Sequence, residues 1–330
     1  MKRRFYLYKN GSLLRQDNSL VLVSKTEKVY IPIEQIDIIF IFGHITLNKN
    51  TISLLNEFDI VVQFFSYYGN YLGGYYPNYP IKGDDLIRHV SVVQEKQHRD
   101  RIAKEIIVSS IHNMLSVLKY YNKKGKHLKD NIELIKSLKD EITCDEFDIS
   151  KLLIYEARTK QIYYSSFNDI IKNQDFTFKI RTTNPPLDRV NAMLSYGYAI
   201  LYGIIRSVLY RSRLQISLPF IHGTSRDPEG LQYDIADVFK PVIIDRLIFR
   251  MLNKNQLNES HFDEHNGGVY LNKLGSSMFL EELEILLKST VSQSSNNRVL
   301  SYRSIISKEV HKITNDVHMK ENYKGFRMKW

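Results

Sequence analysis

Cysteine is almost missing from this chain: Cys144 is the only one among 330 residues. A single thiol cannot close an intramolecular disulfide or build a thiolate metal site, and it fits a reducing cytoplasm. Long hydrophobic runs are also lacking. The longest uncharged apolar stretch, Val190 to Ile205, falls short of the ~20 residues a membrane-spanning helix needs, and Arg206 follows at once. It reads as a buried core helix. The opening MKRRFYLYKNGSLL is basic but has no apolar centre, so it does not read as a signal peptide. Acidic side chains are in deficit, with 36 Asp and Glu against 46 Lys and Arg, a formal net charge of +10 and a pI near 9.3. That balance favours a polyanionic partner such as nucleic acid. The deficit is uneven. Residues 1–85 hold nine basic and eight acidic side chains, leaving 37 and 28 for the remainder. The polyanion-binding surface is therefore expected beyond residue 85.

What is present divides the chain in two. The length suggests about two domains, and 43% hydrophobic content can fill their cores. Up to about Pro80 the pattern is short and alternating. Strands are predicted at Arg4 to Tyr8, Ser12 to Arg15, Ser19 to Val23, Lys28 to Pro32, Ile36 to Phe42, Ile60 to Phe65 and Tyr71 to Tyr76. Asn48 to Glu57 reads as one short helix. Asn10-Gly11 is a hairpin signal and Gln16-Asp17-Asn18 a second turn. The Gly- and Pro-rich GGYYPNYPIKGDD marks a boundary, giving a β-rich domain over 1–82 and an all-α domain over 83–330. In the second domain helical spacing predicts His89 to Leu118, Ile132 to Ile142, Ile149 to Tyr164, Asp188 to Arg211, Ile235 to Asn253 and Phe279 to Thr290. The basic loop Lys123 to Lys126 is either a phosphate contact or a solvated turn. The fold class is α+β multidomain.

The chemistry concentrates in three separated segments: YEARTKQIYY, a lone IHG, and YDIADVFKP. They carry Glu156, His222, Asp234 and Asp237. Asp234 and Asp237 are three apart, so a helix places both carboxylates on one face. Carboxylate oxygens with one imidazole make a mixed N/O set for a divalent cation such as Mg²⁺ or Mn²⁺. On a basic chain the matching substrate is a phosphodiester. Arg158, Tyr163 and Lys240 are candidate DNA contacts beside that set. Each residue also has an ordinary reading. Glu156 could sit on a solvated helix face, and His222 could be a hydrogen-bonded turn residue. Asp234 could be an N-cap or could satisfy His222, Tyr163 could be a core aromatic, and Lys240 could neutralise a helix end. Spacing alone does not show that the segments meet.

In order along the chain, YEARTKQIYYSSF, NPPLDRVNAMLSYGYAILY, LPFIHG and LQYDIADVFKPVIIDRL resemble the CRISPR-associated integrase, the universal spacer-acquisition nuclease "Cas one". The likeness runs from the N-terminal segment ending YLGGYYP to the closing YKGFRMKW and looks nearest to subtype I-B members. It implies an N-terminal β-sandwich that forms the homodimer and a helical catalytic domain with one metal site. Carried across position by position, Glu156, His222 and Asp237 would hold Mg²⁺ or Mn²⁺, with Asp234 supporting them. Two departures stand out. PFIH replaces the family's small-residue approach to the histidine, and the loop GTSRDPEGLQY is slightly long, with Lys240 where Arg is commoner. The likeness further implies double-stranded DNA with 3′-hydroxyl ends, a CRISPR-repeat target, and a small second universal adaptation protein that completes the integration complex. Two other readings stay open: a non-catalytic DNA-binding assembly subunit, and a structure-specific nuclease on branched DNA.

Overall fold

The computed structural model describes residues 2–78, 81–144, 148–223, 228–293 and 298–330. The chain divides into two compact units, Met1–Pro80 and Ile81–Trp330. The first unit contains β1 (Arg3–Leu7), β2 (Gly11–Gln16), β3 (Ser19–Val23), β4 (Lys28–Pro32), β5 (Ile36–Ile41), β6 (Ile45–Leu47), α1 (Lys49–Glu57), β7 (Val61–Phe65) and β8 (Tyr71–Tyr75). They form two four-stranded sheets, ordered β1-β5-β7-β8 and β4-β3-β2-β6. Leu13, Leu20 and Leu22 of one sheet meet Ile36, Ile39, Ile41 and Val62 of the other, with Leu54 and Leu55 of α1 closing the core. Each such side chain contributes about 1.5–3 kcal/mol on burial. The other face of the first sheet carries a run of aromatic residues. Tyr6 stacks on Phe40 at 5.2 Å, Tyr8 on Phe42 at 4.5 Å and Phe42 on Phe65 at 5.2 Å. Apolar residues on both faces explain why β5 and β7 read as continuous runs rather than alternating ones.

The Asn10-Gly11 hairpin expected from the sequence does not form. β1 pairs in parallel with β5, whereas β2 belongs to the other sheet and pairs with β3 and β6. Asn10-Gly11 is the crossing between sheets. Its bonds go to His44, with the Gly11 N–H donating to the His44 carbonyl and the His44 N–H to Asn10 Oδ1, both 2.9 Å. The Gln16-Asp17-Asn18 turn does join β2 to β3, with Asp17 at φ 52°, a conformation Asp tolerates.

The second unit is mostly helical, as expected. It runs α2 (Gly83–Gln94), α3 (Lys96–Lys123), α4 (Lys129–Cys144), α5 (Ile149–Ser165), α6 (Phe167–Ile170), α7 (Arg189–Tyr210) and α8 (Leu231–Phe239). After a π-helical turn at Lys240–Asp245 come α9 (Arg246–Asn253), α10 (Lys273–Lys288) and α11 (Tyr302–Val317). The predicted helix from His89 to Leu118 is two helices, because Glu95 leaves the helical region at ψ 101°. Two antiparallel hairpins, β9 (Phe262–His265) with β10 (Gly268–Leu271) and β11 (Thr290–Gln293) with β12 (Arg298–Ser301), were not foreseen. The first turns at Asn266-Gly267, both at positive φ, an Asn-Gly signal of the strongest kind.

The apolar stretch after residue 189 is α7, long and apolar enough to cross a membrane by length and composition, and mostly buried inside the protein. Asp188 caps it by accepting the Asn191 N–H at 2.8 Å. Gly197 lets it approach its neighbours. A Cβ there would come within 2.6 Å of Ile244 Cγ2 and 2.8 Å of Phe279 Cζ.

Candidate active site

α5 buries Leu152, Glu156, Thr159 and Tyr163, a stripe at spacings of four, three and four. Glu156 therefore lies on the helix's inward face, with 7% of its surface exposed. Lys160 is one turn further on. Its Nζ lies 2.7 Å from Glu156 Oε1 and 3.2 Å from Asp237 Oδ2. Lys240 Nζ lies 2.5 Å from Asp237 Oδ1. One ammonium thus bridges the two carboxylates and a second closes on Asp237. Burial pushes the Glu156 carboxyl up, Lys160 opposes this, and Asp237 raises it again; the net direction is upward. Burial would raise Asp237 as well, but Lys160 and Lys240 outweigh it and hold Asp237 well below the usual carboxylate range. Burial disfavours the charge on Lys160, and Asp237 and Glu156 more than reverse that.

Asp234 and Asp237 share α8 but not a task. Asp234 is fully buried and turns to the loop before it. Its Oδ2 accepts the backbone N–H groups of Phe220 at 2.7 Å and Ile221 at 3.0 Å. Its Oδ1 accepts the His222 N–H at 3.4 Å and lies 2.5 Å from His222 Nδ1. This is the reading in which Asp234 satisfies His222. With Nδ1 tethered to a carboxylate, Nε2 is the ring nitrogen left for a ligand. The hydrogen bond to Asp234 raises the His222 pKa against the effect of burial, and Asp237 and Glu156 raise it further, so His222 shares their field. The loop that follows His222 includes 224–227, which lie outside the described residues.

Glu156 and Asp237 are therefore brought together, with Lys160 between them, and Asp234 orients His222 within their electrostatic field. Among the described residues no three His, Cys, Asp or Glu side chains are grouped closely enough to hold a metal ion. The donor set itself fits a divalent cation: two carboxylates, one far into its ionised range, and an imidazole fixed through Nδ1. Lys160 already supplies positive charge where those carboxylates converge.

Two of the expected DNA contacts have other duties. Tyr163 is 1% exposed and packs against Phe167 at 5.2 Å and Tyr164 at 6.0 Å, so it cannot touch a nucleic acid. Lys240 is held by Asp237 and lies over the rings of Tyr198 and Tyr202, each at 5.1 Å, rather than facing outward. Arg158 is exposed on α5 and is available to a phosphate. Lys160 was missed, although its signal was present. Glu followed four residues later by Lys on one helix places the charges side by side.

A further buried carboxylate lies within the field of Lys240. Asp245, 1% exposed, accepts a 2.7 Å hydrogen bond from Tyr198 Oη, and the Tyr163 hydroxyl is near it without good hydrogen-bond geometry. Burial, only partly offset by these hydroxyls and by Lys240, raises the Asp245 pKa to about 7. The folded chain thus keeps a proton that the unfolded chain releases. Stability is expected to fall as pH rises from about 4 to 7, by about 4 kcal/mol from this group in all. Asp245→Asn keeps the acceptor and cannot ionise, so it should remove that fall. Urea midpoints at pH 4.5, 6 and 8 check it; parallel profiles for parent and variant would refute the assignment.

The family model for "CRISPR associated protein Cas1" matches residues 5–285. The chain is 33% identical over 332 residues to the CRISPR-associated endonuclease Cas1 2 of Thermodesulfovibrio yellowstonii, covering 100% of both chains. It is 34% identical over 332 residues to the CRISPR-associated endonuclease Cas1 of Fusobacterium nucleatum, covering 100% of this chain and 98% of that one. The solved structure of a Cas1 protein from Thermotoga maritima superposes with a TM-score of 0.86 at 30% identity, covering 99% and 100% of the two chains. A casposase bound to an integration product shares the fold, with a TM-score of 0.85 at 19% identity over 99% of this chain and 93% of that one. From residue 5 to residue 285, and along its whole length in its relatives, this chain belongs to the CRISPR-associated Cas1 family.

Proposed function

We propose that this protein is a divalent-metal-dependent DNA integrase and endonuclease of CRISPR adaptation. The observation that carries the reading is the buried pairing of Glu156 with Asp237, whose field reaches a histidine oriented by Asp234. Such an arrangement is costly to bury, and charge clusters of this kind concentrate at functional sites. Glu156, His222 and Asp237 would hold Mg²⁺ or Mn²⁺. Bound there, the ion would supply Lewis-acid polarisation of a non-bridging phosphate oxygen. Around it, Asp234 keeps the His222 ring in one tautomer, and Lys240 keeps Asp237 ionised. Arg158 and the basic surface of the second unit hold DNA phosphates, so binding weakens with salt. The 3′-hydroxyl of a short duplex loses its proton and bonds to phosphorus in the repeat. The opposite P–O bond breaks and leaves a new 3′-hydroxyl. We assign homodimer formation to the N-terminal unit and expect the small second adaptation protein as partner. A "Cas6-RT-Cas1--Cas2 complex" contains a chain of the same fold, with a TM-score of 0.84.

The test is joining of a labelled duplex with free 3′-hydroxyl ends to a supercoiled plasmid carrying a repeat, with and without the partner. Joined product in Mn²⁺ or Mg²⁺ and none in EDTA is the expected result. DNA retained but never joined under any of these conditions would instead favour an assembly subunit, in which Lys160 remains the permanent counter-ion of both carboxylates.

A further inference from the structure

Asp237 sits where its own helix changes geometry. In an α-helix its carbonyl accepts the N–H four residues later, but that residue is Pro241, which has none. The chain opens there into the π turn Lys240–Asp245, in which the Arg246 N–H reaches back five residues to the Pro241 carbonyl. α3 supplies side-chain donors at this point. Ser110 Oγ donates to the Asp237 carbonyl at 2.8 Å, and Asn113 Nδ2 to the Val238 carbonyl at 2.7 Å. The two side chains are three residues apart, hence on one face of α3, and are essentially fully buried.

Asn113 extends this support to a distant segment. The same amide nitrogen donates to the Phe326 carbonyl at 3.0 Å, and Asn113 Oδ1 accepts the Met328 N–H at 2.7 Å. Phe326 also stacks on Phe239 at 5.8 Å, with the rings 17° apart. The segment is fastened on both sides of these contacts. Glu309 accepts from the Tyr323 hydroxyl at 2.6 Å and the Phe326 N–H at 2.7 Å, and Arg327 forks onto Glu105 at 2.9 Å to each oxygen. At residue 325 only glycine fits, since a Cβ would lie 2.2 Å from Ser109 Oγ.

We infer that Ser110 and Asn113 are positioning residues for Asp237, and that through Asn113 the segment Tyr323–Met328 braces the same helix end. This rests on the proposed function for the role of Asp237. Freed from these donors, the Asp237 and Val238 carbonyls would lose the α3 side chains that fix them, and the carboxylate would follow its backbone.

The experiment compares the full-length parent with Ser110→Ala, Ser110→Thr and Asn113→Leu. Amide exchange across 237–246, Mn²⁺ affinity from the free-ion EPR signal without DNA, and kcat against KM in strand transfer are measured. Ser110→Ala should remain folded, exchange faster in that segment, and bind Mn²⁺ on the order of 10-fold more weakly. Its kcat should fall in proportion while KM for DNA stays within about twofold. Ser110→Thr, which keeps the hydroxyl, should recover the parent values. A folded Ser110→Ala with parental exchange, affinity and kcat would overturn the inference; if Asn113→Leu does not fold, Ser110→Ala decides alone. Should the parent neither bind Mn²⁺ nor join DNA, the functional reading fails, and unchanged exchange at 237–246 would separately overturn the bracing.

Discussion

Glu156→Gln is expected to lower metal-dependent strand transfer by on the order of 10²-fold or more while leaving the fold intact. The two effects separate because the protein already disfavours the charge on this side chain. Burial and Asp237 both push the Glu156 carboxyl toward its neutral form, which Gln imitates in shape and charge. Lys160 keeps Asp237 as its partner, so no buried ammonium is left unpaired. A divalent cation, in contrast, needs the anion. For the same reason Mn²⁺ binding by the parent should strengthen as pH rises through the elevated Glu156 pKa, and the variant should lose that dependence. Mn²⁺ titration and thermal melting of the same samples check both parts. A variant that joins DNA at the parental rate would remove Glu156 from the reaction.

Asp234→Ala is expected to be the most destabilising single change near the site, costing about 3–5 kcal/mol. One carboxylate serves three backbone N–H groups and the His222 ring, and nothing else in the loop 220–222 replaces it. The pH dependence has a definite sign. The hydrogen bond to Asp234 raises the His222 pKa. The stability from this pair is therefore fully present below the unfolded value of about 6.5 and is lost as pH rises through the higher folded value. Asp234→Asn keeps one acceptor oxygen and should show a smaller loss with a flatter profile. Urea midpoints and an NMR titration of His222 are the measurements. A His222 pKa unchanged in Asp234→Asn would mean that the tether is not what orients the ring.

The strands of the first unit were legible because their apolar periods are local, and α7 because no charge interrupts it from Val190 to Ile205. The errors have physical causes. Asn10-Gly11 has the composition of a tight turn, but pairing of β1 with β5 and of β2 with β6 draws its two neighbours into different sheets. At the site, the segments around Glu156 and Asp237 stood out, and His222 by its context. What could not be read was the division of labour. Asp234 and Asp237 have identical chemistry and lie one turn apart, and only the packed loop shows that one holds backbone while the other meets Lys160. Tyr163 has the chemistry of a stacking platform as well as of a core aromatic, and its burial against Phe167 makes it the latter. Ser110 and Asn113 gave no signal, because their significance depends on a proline 131 and 128 residues away, respectively.

The π turn has a rotational consequence for the whole second half of the helical unit. Each residue advances an α-helix by about 100°, so the extra residue carried in each wide loop of hydrogen bonds turns everything downstream out of phase with what precedes it. On an unbroken 3.6-residue wheel Leu247, Ile248, Phe249, Met251 and Leu252 of α9 would fall on the same side as Asp234 and Asp237 of α8. The turn rotates that apolar wall away from the carboxylates, so one nearly continuous stretch of chain aims its acidic groups and its apolar wall in different directions.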